Sequence, residues 1–251
     1  MPMNTLASIR ATLTTCVLWC SAAGAAYPSP ELARSVQQLA ATTCVNCHGV
    51  GGRSTSPAFP NLAAQTAPYL QAQLQAFRDQ TRADPDALAY MWGMASQLSD
   101  PMIEAIAAYY SKQAASPGKT DDPKLIAQGM QVFQQGVTAQ GVPACASCHG
   151  SKAQGNAIFP RLAGQHAAYL VKQMLVIQNA LRAAPVMHGV IQNLSHDQMR
   201  AVAAYLQSLG SCERSAREPD AAVDSVARAS NALPLSGVVC STHADGLSKD
   251  S

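Results

Sequence analysis

The chain has 251 residues, of which 48% are hydrophobic and 13% charged, with 17 Lys or Arg, 15 Asp or Glu and a formal net charge of +2 at pH 7. Near-balanced charge argues against indiscriminate nucleic-acid binding, and the length leaves room for more than one domain. The chain has eight cysteines, and their spacing carries the argument.

Residues 1–26 read as a signal peptide. Arg10 precedes an apolar stretch from Ala11 to Trp19, and the small residues Ala22 to Ala26 offer cleavage sites near Ala25 or Ala26. The apolar run is shorter than the roughly 20 residues a spanning helix needs. Cys16 and Cys20 fall in this leader, in poor contexts for a lipid anchor.

A first unit is expected over 27–112. It opens with Cys44-Val45-Asn46-Cys47-His48, and a second copy, Cys145-Ala146-Ser147-Cys148-His149, opens a matching stretch over 124–210. Cys-x-x-Cys-His is the attachment motif of a c-type haem. Two thiols three positions apart on a helical turn add to the two vinyl groups of one porphyrin, and the next residue lies under the iron. His48 and His149 are thereby the expected proximal ligands. A thioredoxin-like site would need flanking strand-like runs that are missing here. A zinc site would have to close a loop of 97 residues and would leave both histidines unexplained.

The copies align well beyond the motif. Phe59-Pro60-Asn61-Leu62 falls on Phe159-Pro160-Arg161-Leu162, Gln65 on Gln165 and Tyr69-Leu70 on Tyr169-Leu170. Met91-Trp92-Gly93-Met94 falls on Met187-His188-Gly189-Val190, Leu98-Ser99 on Leu194-Ser195 and Ala107-Ala108-Tyr109 on Ala203-Ala204-Tyr205. A period near a hundred residues means a duplicated domain, not a solenoid. Methionine thioether is the soft sixth ligand that raises the potential of a His-ligated haem, and Met91 and Met187 are the methionines common to both copies. Met94, opposite Val190, reads as packing but stays an alternative to Met91, and His188 is a competing nitrogen donor. Met102, Met130, Met174 and Met199 read as core filler. His166, His196 and His243 read as solvent-facing.

The elements expected are all helical. Tyr69, Gln73 and Phe77 share one helix face, matched by Tyr169, Gln173 and Ile177. Asp100-Pro101 starts a helix with Ile103, Ile106 and Tyr110 inward, and Ser195-His196-Asp197-Gln198 reads as a capping box. Residues 113–123, with Pro117-Gly118 and Asp121-Asp122-Pro123, form the expected linker. The tail, 211–251, reads as flexible or loosely docked. In it Cys212 and Cys240 flank 27 residues, and a disulfide, a free thiol or an intermolecular bond all fit. Each repeat is thin for a core of its own, so poorly folded apo-protein is expected.

Charge is uneven. Residues 27–118 carry five basic and six acidic side chains, residues 119–210 seven and three. A dipolar molecule of this kind could orient between donor and acceptor, and a plain solvated surface with no orienting role fits the same counts equally well.

Pro60 and Pro160, twelve and eleven residues after their histidines, resemble the proline of class I cytochromes c whose carbonyl accepts the proximal imidazole's Nδ1–H. The paired motifs, Phe-Pro-x-Leu, Met-x-Gly and the Ala-Ala-Tyr helix together resemble the two-haem cytochrome c4 family over residues 31–210. The resemblance implies two tandem class I cytochrome c domains, each wrapped around one covalently bound haem held by Cys44, Cys47, His48 and Met91 or by Cys145, Cys148, His149 and Met187. It implies a periplasmic electron carrier with no turnover of its own, serving a terminal oxidase, a quinol-oxidising complex or a dehydrogenase, and meeting membranes only through such partners. The family's crossing of first and last helices matches Gly129 and Phe133 in the second copy; the first copy has no glycine there.

Overall fold

The computed structural model describes residues 28–119 and 121–210. The leader with Cys16 and Cys20, and the tail with Cys212, Cys240 and His243, lie outside them. Ten α-helices are described: α1 Pro30–Leu39, α2 Val45–His48, α3 Ala67–Arg78, α4 Trp92–Ala95, α5 Asp100–Ser111, α6 Pro123–Gln135, α7 Ala146–His149, α8 Ala167–Gln178, α9 Pro185–Ile191 and α10 His196–Ser208. Among the described residues the only extended pairings are the isolated bridges Val137 to Val142 and Asn156 to Phe159.

Local chemistry sets the helix starts. Ser29 accepts from the Leu32 amide ahead of Pro30, and the Asp122 carboxylate accepts from the Lys124 amide ahead of Pro123. The capping box is present, with Ser195 and Gln198 exchanging side-chain and backbone bonds at 3.3 and 2.8 Å.

Within each repeat the first helix crosses the last. In the second, Gly129 lets α6 approach the α10 backbone at Ala201, and Phe133, one turn on, is fully buried against Tyr205. In the first, Val36 and Ala40 stand at the same four-residue spacing and pack against Ala105, Ile106 and Tyr110 of α5. A larger residue at one position is offset by a smaller one a turn later, so this crossing forms without a glycine.

The two repeats meet across a pseudo-two-fold axis. Gln65 donates to the Arg161 carbonyl and accepts from the Arg161 amide, at 2.9 and 2.6 Å. Gln165 does the same with Asn61, at 3.0 and 2.9 Å. Each side-chain amide thus pairs with the backbone of the residue that aligns with its own neighbour in the other copy. The Lys172–Asp86 ion pair also joins the repeats. After α5 the chain lies along the second repeat, where the Lys119 amide donates to the Gln207 carbonyl at 3.1 Å.

Candidate haem-binding sites

The attachment motif folds as one tight turn in both repeats. Cys44 ends a π-helical turn, Ala40–Cys44, that runs into α2, whereas Cys145 caps α7 directly. Single π turns often mark functional positions. The residue after each histidine is a glycine with positive φ, 73° at Gly49 and 81° at Gly150. A Cβ at Gly49 would stand 2.1 Å from the Arg53 carbonyl oxygen, so only glycine lets the chain turn off the helix there.

His48 and His149 are 8% and 7% exposed. Their Nδ1–H groups donate to the Pro60 and Pro160 carbonyls at 3.0 and 2.9 Å, and Phe59 and Phe159 stand edge-on to them at 6.3 Å in both repeats. The proline contact expected from the resemblance is present twice. Burial lowers both imidazole pKa values, against an opposing effect of the proline carbonyls. A neutral ring with Nδ1 committed leaves Nε2 as the free lone pair, which is the state an iron ligand needs.

None of the four motif cysteines is paired in a disulfide. Before haem is attached, burial raises the pKa of the inner thiol of each pair, Cys145 to about 11 and Cys44 in the same direction. Apolar side chains surround each motif. In the first repeat the core forms two clusters: Val36, Leu70, Ile106 and Tyr110 with Cys44 at their edge, and Phe77, Ala87 and Ala95 with Met91 and Trp92. Leu98 packs on both. Two apolar layers, one carrying the thiol and the other the methionine, suit a flat apolar group with a metal at its centre. In the second repeat Cys145 and Met187 border one continuous cluster. The donor set and its surroundings therefore fit a haem in each repeat.

Met91 closes a second π turn, Ala87–Met91, and Met187 lies within α9; both are half-buried. Met94, expected as packing, is 57% exposed and turned away from the core. Met130 is also exposed, while Met102, Met174 and Met199 pack as expected. His166 corrects another expectation. It is 5% exposed and not solvent-facing, because its Nε2–H donates across the interface to the Ser54 carbonyl at 3.0 Å. His196 is exposed.

Two arrangements escaped the sequence reading. The first pins the methionine loops. Trp92 Nε1–H donates to the Arg82 carbonyl at 2.8 Å, and the aligned His188 donates through Nδ1 to the Ile177 carbonyl at 2.8 Å. Their alignment beside a repeated methionine was the available signal.

The second is a buried polar cluster between the repeats. Gln73 Oε1 accepts from Arg82 Nη1 and Arg182 Nη2, at 2.8 and 2.9 Å. Gln173 Oε1 accepts from Arg82 Nη2 and Arg182 Nη1, at 2.9 and 2.6 Å. Arg182 also donates to the Tyr69 hydroxyl, and Arg82 to Asp84, at 2.9 and 2.8 Å. Burial would raise the Tyr69 pKa, but the charges of Arg182 and Arg82 outweigh it and lower the value. Gln73 and Gln173 repeating on otherwise apolar faces were the hint.

Comparison with known proteins agrees with this geometry. The cytochrome c family profile matches residues 33–113 and 126–210. Cytochrome c4 of Stutzerimonas stutzeri is 41% identical over 177 residues, covering 66% of this chain and 84% of that protein. The thiosulfate dehydrogenase electron acceptor of Thiomonas intermedia is 34% identical over 197 residues, covering 76% and 85%. The crystal structure of reduced recombinant cytochrome c4 from Pseudomonas stutzeri superposes with a TM-score of 0.63 at 39% identity, covering 70% of this chain and 97% of that one.

Proposed function

This chain belongs to the cytochrome c4 family of two-haem electron-transfer cytochromes, and on that premise we propose that it carries single electrons between periplasmic redox partners through two irons each held by histidine and methionine. The observation that carries the reading is the doubled arrangement of a buried neutral imidazole, oriented by a proline carbonyl, next to a Cys-x-x-Cys pair.

Each bound haem supplies an iron that alternates between ferrous and ferric states. The protein's part is to hold that iron unchanged as the electron comes and goes. Cys44 and Cys47, or Cys145 and Cys148, fix one porphyrin edge covalently. His48 and His149 present Nε2, and the proline bond stops the ring from rotating and strengthens it as a donor. Met91 and Met187 would supply the iron's thioether sulfur from loops pinned through Trp92 and His188. An iron held by both histidine and methionine would leave no place for substrate, so the proposed activity is outer-sphere transfer with no catalytic residue. The proposed domains are 27–112 and 124–210 joined by 113–123, a joint supported by the end of α5 at Ser111 and the start of α6 at Pro123, with 1–26 as a signal peptide on its sequence pattern alone.

Haem attachment on the oxidising side of a membrane supports the periplasm, and no helix among the described residues is long and apolar enough to cross a membrane. Donor and acceptor are redox proteins. A dehydrogenase is one donor class, as the name of the Thiomonas relative suggests, a quinol-oxidising complex is another, and a terminal oxidase is the acceptor class.

The test is a visible spectrum of the exported protein, oxidised and reduced, beside Met91→Ala and Met187→Ala. Two haems per chain are expected, with a weak sulfur-to-iron band near the red edge that either substitution halves, and no response to carbon monoxide. Carbon monoxide binding by the unmodified protein would mean an open iron and an enzyme in place of a carrier.

A further inference from the structure

A groove of about 670 Å³ follows the linker along the joint between the repeats. Val50, Arg53 and Asn61 of the first repeat, Ser116 and Lys119 of the linker and Gln207 of α10 are among the residues that line it. None of the expected haem-holding residues does, so it is separate from both haem sites.

Its chemistry selects the occupant. Arg53 and Lys119 are exposed and make no ion pair among the described residues, and no carboxylate lines the groove; Asp121 and Asp122, further along the linker, lie outside the lining. Asn61 and Ser116 are each 8% exposed, yet Asn61 Oδ1 and Ser116 Oγ have no hydrogen-bond partner. A lone acceptor in a buried position is costly and calls for a donor. A small anion would set a second acceptor against Asn61 Oδ1, whereas a peptide offers both N–H and C=O at nearly every residue.

A peptide of the right charge starts at the rim. The Lys119 amide donates to the Gln207 carbonyl, and Gly210, the last described residue, lies directly on Gly118. The cytochrome c family profile stops at residue 210, so nothing in the shared domain accounts for residues 211–251. The first fourteen of these carry Glu213, Glu218, Asp220 and Asp224 against Arg214 and Arg217. Extended, they reach up to about 45 Å. Tethering at the rim gives them an effective concentration on the order of millimolar, so a weak intrinsic contact suffices.

We propose that residues 211–224 fold back across the linker and dock in this groove, their carboxylates facing Arg53 and Lys119 and their backbone pairing with Asn61 Oδ1 and Ser116 Oγ. Docked there, the segment covers Val50, 74% exposed beside the first attachment turn, and straps the linker side of the joint. The groove is thus a binding surface for the chain's own C-terminal extension.

The test is hydrogen–deuterium exchange of the full haem-loaded chain beside the same chain ended after Gly210. Amides of residues 50–55 and 116–119 should exchange about tenfold more slowly in the full chain, as for an effective concentration about ten times the Kd. Arg53→Glu with Lys119→Glu should abolish that protection, and Lys112→Glu, exposed but outside the lining, should leave it intact. Adding Glu213→Lys, Glu218→Lys, Asp220→Lys and Asp224→Lys to the double variant should restore it, which a local disturbance at Arg53 or Lys119 does not predict. Should the shortened chain fail to fold, these full-length variants carry the test. Equal exchange with and without the extension, or protection that survives charge reversal, would overturn the proposal. Protection lost on dilution would overturn it too, by assigning the groove to a second copy.

Discussion

A methyl group added at Gly129 would land 1.9 Å from the Ala201 carbonyl oxygen, 2.5 Å from its carbon and 2.9 Å from the Tyr205 Cβ. Two of these atoms are backbone, so no rotamer change relieves the contact. For Gly129→Ala the helices α6 and α10 must separate by more than an ångström, which loosens Phe133 from Tyr205. Overpacking costs about 1–3 kcal/mol, and a backbone-to-backbone clash belongs at the upper end. Alanine's better helix propensity returns about 1 kcal/mol, leaving a net loss of about 2 kcal/mol. For a domain of this size that lowers the second repeat's melting temperature by about 8–16 °C. Thermal unfolding of the haem-loaded protein, followed by far-ultraviolet circular dichroism and haem absorbance, reads it directly. Met130→Ala, at the exposed position next along α6, is the control and should stay within about 0.5 kcal/mol of the parent. An unchanged or raised melting temperature for Gly129→Ala would refute the close-packed crossing.

Gln65→Ala and Gln165→Ala each remove an amide that pairs with a backbone N–H and C=O of the other repeat. Each should cost about 1–3 kcal/mol and, together, split a shared unfolding transition into two in calorimetry. Trp92→Phe strands the Arg82 carbonyl, so the sulfur-to-iron band of the first haem should bleach at a lower temperature than in the parent. Acid should weaken the interface through His166. Burial, with Lys119 adding to it, lowers this imidazole's pKa against the opposing Ser54 carbonyl, so the unfolded chain binds more protons below the ordinary histidine value of about 6.5. Stability is therefore complete above that pH and falls as pH drops through the folded-state value. His166→Gln should flatten that part of the urea-midpoint profile below about pH 6.5, and an unaltered profile would count against it.

Much of this molecule is visible in the chain itself because duplication lets one half annotate the other. Cys-x-x-Cys-His and the Pro60 and Pro160 carbonyls are local to each domain, and the helix starts at Pro30, Pro123 and Ser195 are set by near neighbours. Gln65 and Gln165 are visible as a repeated pair, but their partners lie about a hundred residues away, and a self-alignment does not say which surfaces meet. His166 shows the cost of that gap. A histidine with no counterpart in the other copy looked unconstrained, yet its partner is a backbone carbonyl, which every residue offers and no sequence pattern marks. Val36 and Ala40 make the complementary point, since a helix crossing is a matter of summed volume and Gly129–Phe133 is one solution among several.

The reciprocal grip of Gln65 on Arg161 and of Gln165 on Asn61 has a bearing on ancestry. Contacts exchanged in both directions about a two-fold axis are what two identical chains make when they dimerise. A single-repeat ancestor carrying the glutamine would already present both halves of this joint, since the other half is only peptide backbone. Tethering through residues 113–123 turns what would be a concentration-dependent encounter into a permanent one. Two halves fixed as neighbours are free to differ, and an aspartate at position 84 against an alanine at position 184 is a difference that no homodimer can express.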